Sequence, residues 1–244
     1  MGKFSSKDTV LLIDGYNVLG VNTSLTHAVE AITEESTPFG EEWEEHKYVG
    51  INKSEVTQEG FYDDDSGSIN DALNEKQGEE RILCIGYAGN TIGAGFSGFQ
   101  GALQSNFQRI ASRGVMHKAN ASYVGSGITE DGRILHALTA RTTERDTKAA
   151  PVEHGTDTGS GGTAYLQVTA LDLDGYDDVT IRVIERNGGS WATLATFADV
   201  DVANVAERVE VTGTVEQGLA VEWEFNGIAG TDPSMSFFVG FVRN

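Results

Sequence analysis

The pattern most suggestive of chemistry in this sequence is G-x-G-x-x-G, formed by Gly93, Gly95 and Gly98. In dinucleotide-binding proteins this pattern follows a strand, opens a helix and precedes, by about twenty residues, an acidic residue that binds the ribose. Here Phe-Gln-Gly follows, which is a poor helix start, and the next acidic residue is Glu130. We therefore predict a glycine-rich loop without a bound nucleotide.

Side chains that could bind a metal are scattered or lack the order of a metal site. The histidines are too far apart for a zinc motif, at His27, His46, His117, His136 and His154. Residues 63–65 and 172–178 are rich in aspartate but lack the EF-hand order of ligands and glycine. We predict solvated loops at both places and no bound metal or cofactor.

Nucleophilic catalysis has no supporting pattern. The serines at Ser112, Ser122 and Ser126 are not part of a Gly-x-Ser-x-Gly elbow, in which the nucleophile would sit on a sharp strand-to-helix turn. Together with the absence of a complete cofactor or metal motif, this predicts that the chain is not an enzyme.

Charge excludes one class of partner. The 244 residues carry 17 lysines and arginines against 37 aspartates and glutamates, a net charge of −20. Such a surface repels phosphates, so DNA wrapping is not expected. The N-terminal residues have no apolar core of a secretory signal, and no apolar stretch approaches the ~20 residues that cross a bilayer. The single cysteine, Cys84, lies in an apolar run and reads as a small buried hydrophobe.

The elements that must position these residues are mostly strands. Glycine is abundant and proline scarce, and short apolar runs alternate with turn residues, which predicts an all-β fold. One short helix is expected at residues 68–74, with Ser68 as N-cap. Residues 102–111 fit both helical and strand spacing, and the flanking glycines favour a strand.

The chain divides in two by pattern. Residues 1–145 form the first predicted domain, a β-sandwich or barrel. Residues 146–162 are polar, end in Gly-Ser-Gly-Gly and read as a linker. Residues 163–244 alternate cleanly, with a hairpin turn at Asn187-Gly188-Gly189, and predict a jelly-roll β-sandwich.

One stretch of the first domain has an unusual charge pattern. Residues 81–129 contain no aspartate or glutamate but do contain arginines, including Arg81, Arg109 and Arg113. A basic surface in an acidic protein could contact an acidic segment of a second copy. The candidate segment surrounds Trp43 with Glu41, Glu42, Glu44 and Glu45. The alternative, a sheet-forming stretch with few charges, stays open.

The tryptophans of the second domain allow two interpretations. Trp191 and Trp223 could stack on a sugar, because aromatic faces bind carbohydrate. Both lie in strand patterns, however, and strand tryptophans are usually part of the core. We expect burial, and we keep Trp191 as a candidate aromatic for a surface ligand.

Several short motifs of the first half resemble siphovirus-type tail tube proteins. They are, in order, Leu12-Ile-Asp14-Gly15-Tyr16-Asn-Val18, Phe39-Gly40-Glu-Glu-Trp43, Gly50 and Glu59-Gly60-Phe61-Tyr62-Asp63. The resemblance covers roughly residues 8–140 and implies a β-sandwich or small barrel that forms hexameric rings. In the second half, residues 179–194 look like the strand-turn-strand core of galactose-binding-like jelly rolls.

The resemblance implies a function and partners. The chain would be a virion structural protein, made in the host cytoplasm, whose stacked hexameric rings form the tail tube. DNA would pass through the lumen without specific binding. Tape measure and tail terminator proteins would be partners, and no membrane would be involved. Two alternatives remain: a capsid decoration protein, or a lectin-like binding module on the virion surface.

Overall fold

The structure is a computed structural model that describes residues 9–18, 22–35, 46–65, 68–143, 145–153, 156–228 and 232–244. For residues 48–51 only the backbone is described. Among the described residues, no helix has the length and hydrophobicity to span a membrane. The predicted self-assembly residues Trp43, Glu41, Glu42, Glu44 and Glu45 lie outside the described residues.

Almost every regular element of the described chain is a strand, which confirms the all-β prediction. The elements, in chain order, are β1 (Val10–Ile13), β2 (Tyr16–Asn17), β3 (Asn22–Glu35), β4 (His46–Phe61), α1 (Ile69–Leu73), β5 (Glu80–Arg81), β6 (Leu83–Gly86), β7 (Gly95–Phe99), β8 (Ala102–Ile110), β9 (Lys118–Gly125), β10 (Thr129–Arg141), β11 (Arg145–Asp146), β12 (Val152–Glu153), β13 (Gly162–Asp172), β14 (Asp178–Asn187), β15 (Ser190–Thr196), β16 (Val205–Val211), β17 (Gly218–Asn226) and β18 (Ser234–Arg243).

Local sequence signals were reliable. The expected helix is α1, which begins after Ser68 and buries Ile69, Ala72 and Leu73, although the Ser68 side chain makes no capping hydrogen bond. The ambiguous residues 102–111 form a strand over nearly their whole length, β8 at Ala102–Ile110, as the flanking glycines indicated. The predicted hairpin turn joins β14 to β15, with Asn187 opposite Ser190.

An eight-stranded sheet, here called the shared sheet, joins the two halves of the chain. Its order is β16-β13-β18-β10-β7-β6-β1-β2. The two halves meet where β10 pairs with β18, in a register that runs from Arg133 opposite Phe241 to Arg141 opposite Met235. Backbone hydrogen bonds therefore continue across the expected domain boundary.

Two five-stranded sheets cover the outside of the shared sheet. The first-half sheet has the order β3-β4-β9-β8-β5; the second-half sheet has the order β11-β17-β14-β15, with β12 also paired to β17. The expected linker therefore needs correction, because Arg145–Asp146 and Val152–Glu153 are short strands of the second-half sheet. The division into separate domains stays a prediction.

The alternation of side chains along the shared sheet makes three cores. Leu11 and Ile13 face the first-half sheet, and Phe237 and Val239 face the second-half sheet. The residues between them form a third cluster, contributed entirely by the shared sheet: Val10, Leu12, Cys84, Phe96, Ile134, Tyr165, Phe238 and Val242. A cluster built from one face of a single sheet requires that sheet to curl around it.

Close contacts at two glycines permit this curl. The Tyr165 ring from the second half packs directly on Gly98, where a Cβ atom would lie 2.6 Å from the ring carbon Cζ. Gly15, at the β1–β2 turn, reaches the second half with a positive φ of 81°, and its N–H donates to Gln167 Oε1 at 2.5 Å. The Gln167 amide in turn donates to the Ile82 carbonyl at 3.0 Å.

A buried histidine links β10, β18 and the second-half sheet. The His136 ring stacks on Phe237, with ring centroids 3.9 Å apart, and meets the Trp223 ring edge-on. Arg141 Nε donates to His136 Nε2 at 2.9 Å, so Nδ1 carries the proton and donates to the Phe237 carbonyl at 3.1 Å. Burial, reinforced by the Arg141 charge, lowers the pKa of His136 to about 3.

This histidine should make stability fall as the pH drops below about 6.5. Below this pH the imidazole of His136 is protonated in the unfolded chain but stays neutral in the folded protein. The free energy of unfolding therefore falls with a limiting slope of about 1.4 kcal/mol per pH unit. Urea unfolding at pH 7, 6 and 5 measures this slope, which His136→Gln should reduce by the contribution of this histidine. Because burial also lowers the pKa of His27, His27→Gln is the control and should retain most of the slope. A slope that is unchanged in His136→Gln would contradict the account.

Candidate assembly surface

The first-half sheet has two edges that no described strand covers. At one edge, β3 pairs with β4 alone. At the other, β5 covers Ala102 and Leu103 of β8, and residues 78–79 form backbone hydrogen bonds with Gln104, so residues 105–110 have an unpaired side. Unpaired strand edges bind other strands readily. The described structure therefore offers two complementary backbone surfaces on one sheet.

The face of this sheet that points away from the core is mainly polar. Four residues make one row across the strands: Thr26, Thr57, Ser122 and Asn106. The next rows include Glu59, Asn120 and Gln108. Two lysines of this face form ion pairs with glutamates, Lys53 with Glu55 at 2.8 Å and Lys118 with Glu59. The face thus offers hydroxyls, amides and carboxylates, with Lys53 and Lys118 neutralised.

Strands β3 and β4 continue past the rest of the sheet as a two-stranded ribbon. Pairing of β4 with β9 ends at Glu55, whereas pairing of β3 with β4 extends to Glu35 opposite His46. We call residues 29–35 and 46–54 the ribbon. Its strand 29–35 is exposed throughout, including Val29 and Ile32. An isolated two-stranded ribbon is marginally stable in water, so a contact with another chain would stabilise it.

The two predicted arginines lie at the opposite end of the sheet from the ribbon. Arg109 is near the end of β8; its guanidinium covers the Tyr62 and Phe107 rings and donates to Asn70 Oδ1 at 2.9 Å. Arg113 is exposed in the turn between β8 and β9. Their predicted role in self-assembly remains a prediction.

Sequence reasoning missed the acidic residues that the structure places on the ribbon. Glu30, Glu34 and Glu35 are exposed on β3, at the far end of the sheet from Arg109 and Arg113. The sequence signal for them is that these glutamates lie within the strand-forming residues 29–35. Within one chain the basic and acidic ends cannot meet.

The third arginine of the acid-free stretch is structural, which corrects its placement on a basic surface. Arg81 is 2 % exposed and forms an ion pair with Asp14. Its guanidinium also donates to Gln104 Oε1 at 2.7 Å and to the Ala72 carbonyl at 2.8 Å. It thereby ties the β1–β2 turn, β8 and α1 together.

The patterns considered for chemistry have structural roles or remain open. Gly95–Phe99 is strand β7, so most of the G-x-G-x-x-G pattern lies in a strand and not in the predicted glycine-rich loop. Its last glycine, Gly98, leaves room for the Tyr165 ring. The carboxylates of Asp63, Asp64 and Asp65 lie within 4.8 Å of one another and could hold a cation. The absence of catalysis and of bound metal stays a prediction.

Buried thiol and aromatic groups follow the sequence expectations in part. Cys84 is buried as predicted, and burial raises the pKa of its thiol to about 12. Trp223 is 2 % exposed, and its indole N–H donates to the Thr143 carbonyl at 2.8 Å. Trp191 is only partly buried, on β15 opposite Arg186, so its expected burial is incomplete.

A cleft of about 740 Å³ lies where the ribbon leaves the body. Val29 and Ser54 line it from the ribbon side, Ile128 lines it from the β9–β10 turn, and Thr129 and Asp131 line it from the start of β10. Thr129 Oγ1 donates to Ser54 Oγ at 2.9 Å. The cleft combines an apolar rim with a polar floor.

His27 forms part of that polar floor. Its Nε2 lies 3.2 Å from Ser54 Oγ, and its Nδ1 lies 2.5 Å from the Tyr87 hydroxyl. Burial lowers the pKa of His27 and raises that of Tyr87 to about 12. The Nδ1 partner is a phenol rather than a carboxylate, so the pair lacks the carboxylate that orients the histidine of a Ser-His-Asp triad.

No protein-family model matches the chain, and no curated protein does. Two solved chains resemble its fold over 52 % of its length and 97 % of theirs. One is in the virion of a native gene transfer agent particle, with 12 % sequence identity and a TM-score of 0.40. The other is in the tail of an empty gene transfer agent particle with C6 symmetry, with 10 % sequence identity and a TM-score of 0.39. The similarity to SPP1 Dit, a hub adsorption apparatus protein of phages that infect Gram-positive bacteria, covers 96 % of this chain and 99 % of the Dit chain, with 10 % sequence identity and a TM-score of 0.32.

The buried position of Arg81 predicts a large difference between the arginines. Arg81→Met removes the donor of Gln104 Oε1 and of the Ala72 carbonyl and leaves Asp14 with the Ile82 N–H alone, so the free energy of unfolding should fall by about 3 kcal/mol or more. Arg113→Met removes an exposed side chain and should change it by less than about 0.5 kcal/mol. Denaturant unfolding measures both values. Equal small effects would show that Arg81 is not structural.

Proposed function

We propose that the protein is a virion tail structural protein whose copies form a hexameric ring, with stacked rings making the tail tube. The observation that carries this proposal is the pair of open edges, β3 and β8, on one sheet. An edge that is left open invites uncontrolled pairing, whereas a ring in which β8 of one copy meets β3 of the next has no free edge. The tail tube motifs of residues 8–140 support six as the number of copies.

The polar face of the first-half sheet supports its assignment to the lumen. DNA must slide past the wall of a tail tube without adhering, and affinity for DNA comes mainly from lysines and arginines that neutralise phosphates. Lys53 and Lys118 of this face are paired with glutamates, and its other rows carry hydroxyl, amide and carboxylate groups. DNA would therefore be a passing cargo, with tape measure and tail terminator proteins as further partners.

The second half would lie on the outside of the ring. The shared sheet separates the second-half sheet from the first-half sheet, because each packs on a different part of its outer face. If the first-half sheet lines the lumen, the second-half sheet points outward or toward a neighbouring ring. The partly exposed Trp191 is then on the tail exterior.

Lysines placed on both edges of the first-half sheet should block the ring. Thr26 lies on β3 and Asn106 on β8, in one row of the polar face. Thr26→Lys with Asn106→Lys places like charges on both sides of each seam, which destabilises strand pairing. Electron microscopy and light scattering should show monomers for this variant, against rings or tubes for the wild type.

Two matched variants make this test specific. Thr26→Lys with Asn106→Glu places opposite charges at the seam and should retain rings. Ser122→Lys, on the central strand β9 of the same row, should retain them too. The proposal fails if the wild-type protein stays monomeric at high concentration, or if the two lysines leave rings intact. Isolated trimers would favour a capsid decoration protein, and rings that never stack would favour a single-ring tail component.

A further inference from the structure

The turn between β8 and β9 exposes large apolar side chains beside a basic one. Val115 is 63 % exposed and Met116 is 66 % exposed, with Ile110 of β8 exposed as well. Arg113 is in the same turn. We call residues 111–117 the tip. Contiguous exposed apolar side chains rimmed by charge are typical of interaction sites.

The cleft at the base of the ribbon has the complementary character. Val29 and Ile128 of its rim are exposed, Ile128 at 74 %. Asp131 is in its lining and supplies a carboxylate. The cleft volume of about 740 Å³ leaves room for several side chains. Its apolar rim and the Asp131 carboxylate match the apolar and basic groups of the tip.

The strand register places the tip and the cleft at opposite ends of the first-half sheet. Strand β9 runs from Lys118, beside the tip, to Gly125, which lines the cleft. The same direction holds on β4, where Phe61 pairs beside the tip and Ser54 lines the cleft. A copy that is translated along the strands therefore brings its tip to the cleft of the next copy.

We propose that the tip of one copy inserts into the cleft of the next, with Val115 and Met116 between Val29 and Ile128. Arg113 then faces Asp131. The contact joins two different surfaces, so it repeats along an axis instead of closing on a dimer. Within the proposed function, on which this inference rests, it is the joint between successive rings.

A complementation experiment tests the two surfaces of this contact. Met116→Asp blocks the tip, and Ile128→Asp blocks the cleft; both positions are exposed, so the melting temperature should not change. Each full-length variant alone should form single rings, with the concentration needed for stacking raised about tenfold or more. A 1:1 mixture retains one intact tip surface and one intact cleft surface, so it should form pairs of rings that grow no further. Electron microscopy counts the rings in each particle.

The control is Val202→Asp, which changes an apolar side chain of the second half that is 55 % exposed and should leave stacking unchanged. Stacking by either blocked variant, or a mixture that gives no paired rings, would overturn the inference. If a substitution lowers the melting temperature, Arg113→Glu and Asp131→Lys replace the two variants, and their mixture should again give pairs. A wild-type protein without rings would instead count against the proposed function. Wild-type rings that never stack would count against the stacked tube and this contact together, whereas wild-type tubes with stacking retained by a blocked variant would overturn the tip-to-cleft contact alone.

Discussion

The pairing of β10 with β18 is the interaction on which the rest of the structure depends. It joins the strands of both halves into one sheet and fixes which face of each strand is enclosed. Because the sheet then curls, Tyr165 from the second half reaches Gly98 from the first, and Gln167 reaches the β1–β2 turn. The two outer sheets are held in place by packing on this frame. Without this pairing, the strands of the two halves would no longer enclose the third core together.

This frame has consequences for the proposed assembly. A ring wall that guides DNA must keep its shape while its edges pair with neighbours, and a curled sheet with a filled interior resists deformation because close-packed cores are stiff. The ribbon and the tip extend beyond the frame at opposite ends of one sheet. Their exposure is costly in a lone copy and is relieved when copies meet along the strand direction. The same sheet therefore supplies lateral edges for a ring and axial surfaces for a stack.

The sequence was informative where short-range chemistry decides the structure. A polar cap followed by apolar spacing indicated α1, and an Asn-Gly-Gly turn indicated the β14–β15 hairpin. Pairings between distant residues were out of reach. Arg81 is buried against Asp14, which is 67 residues away in the sequence. Without knowledge of that partner, the charge of Arg81 indicated a surface position. The pairing of β10 with β18 likewise joins strands about a hundred residues apart, and no local pattern encodes it. The polar composition of residues 146–162 therefore resembled a linker although it contains paired strands.

Amide hydrogen exchange across the seam between β10 and β18 tests the central claim most directly. If one curled sheet holds both halves together, the paired amides of residues 133–141 and 235–241 should be among the slowest to exchange. Their opening free energy should equal that of global unfolding, and both strands should lose protection together as denaturant is added. Earlier loss of protection at the seam, with each half retaining its own protected core and unfolding in a separate transition, would contradict the account.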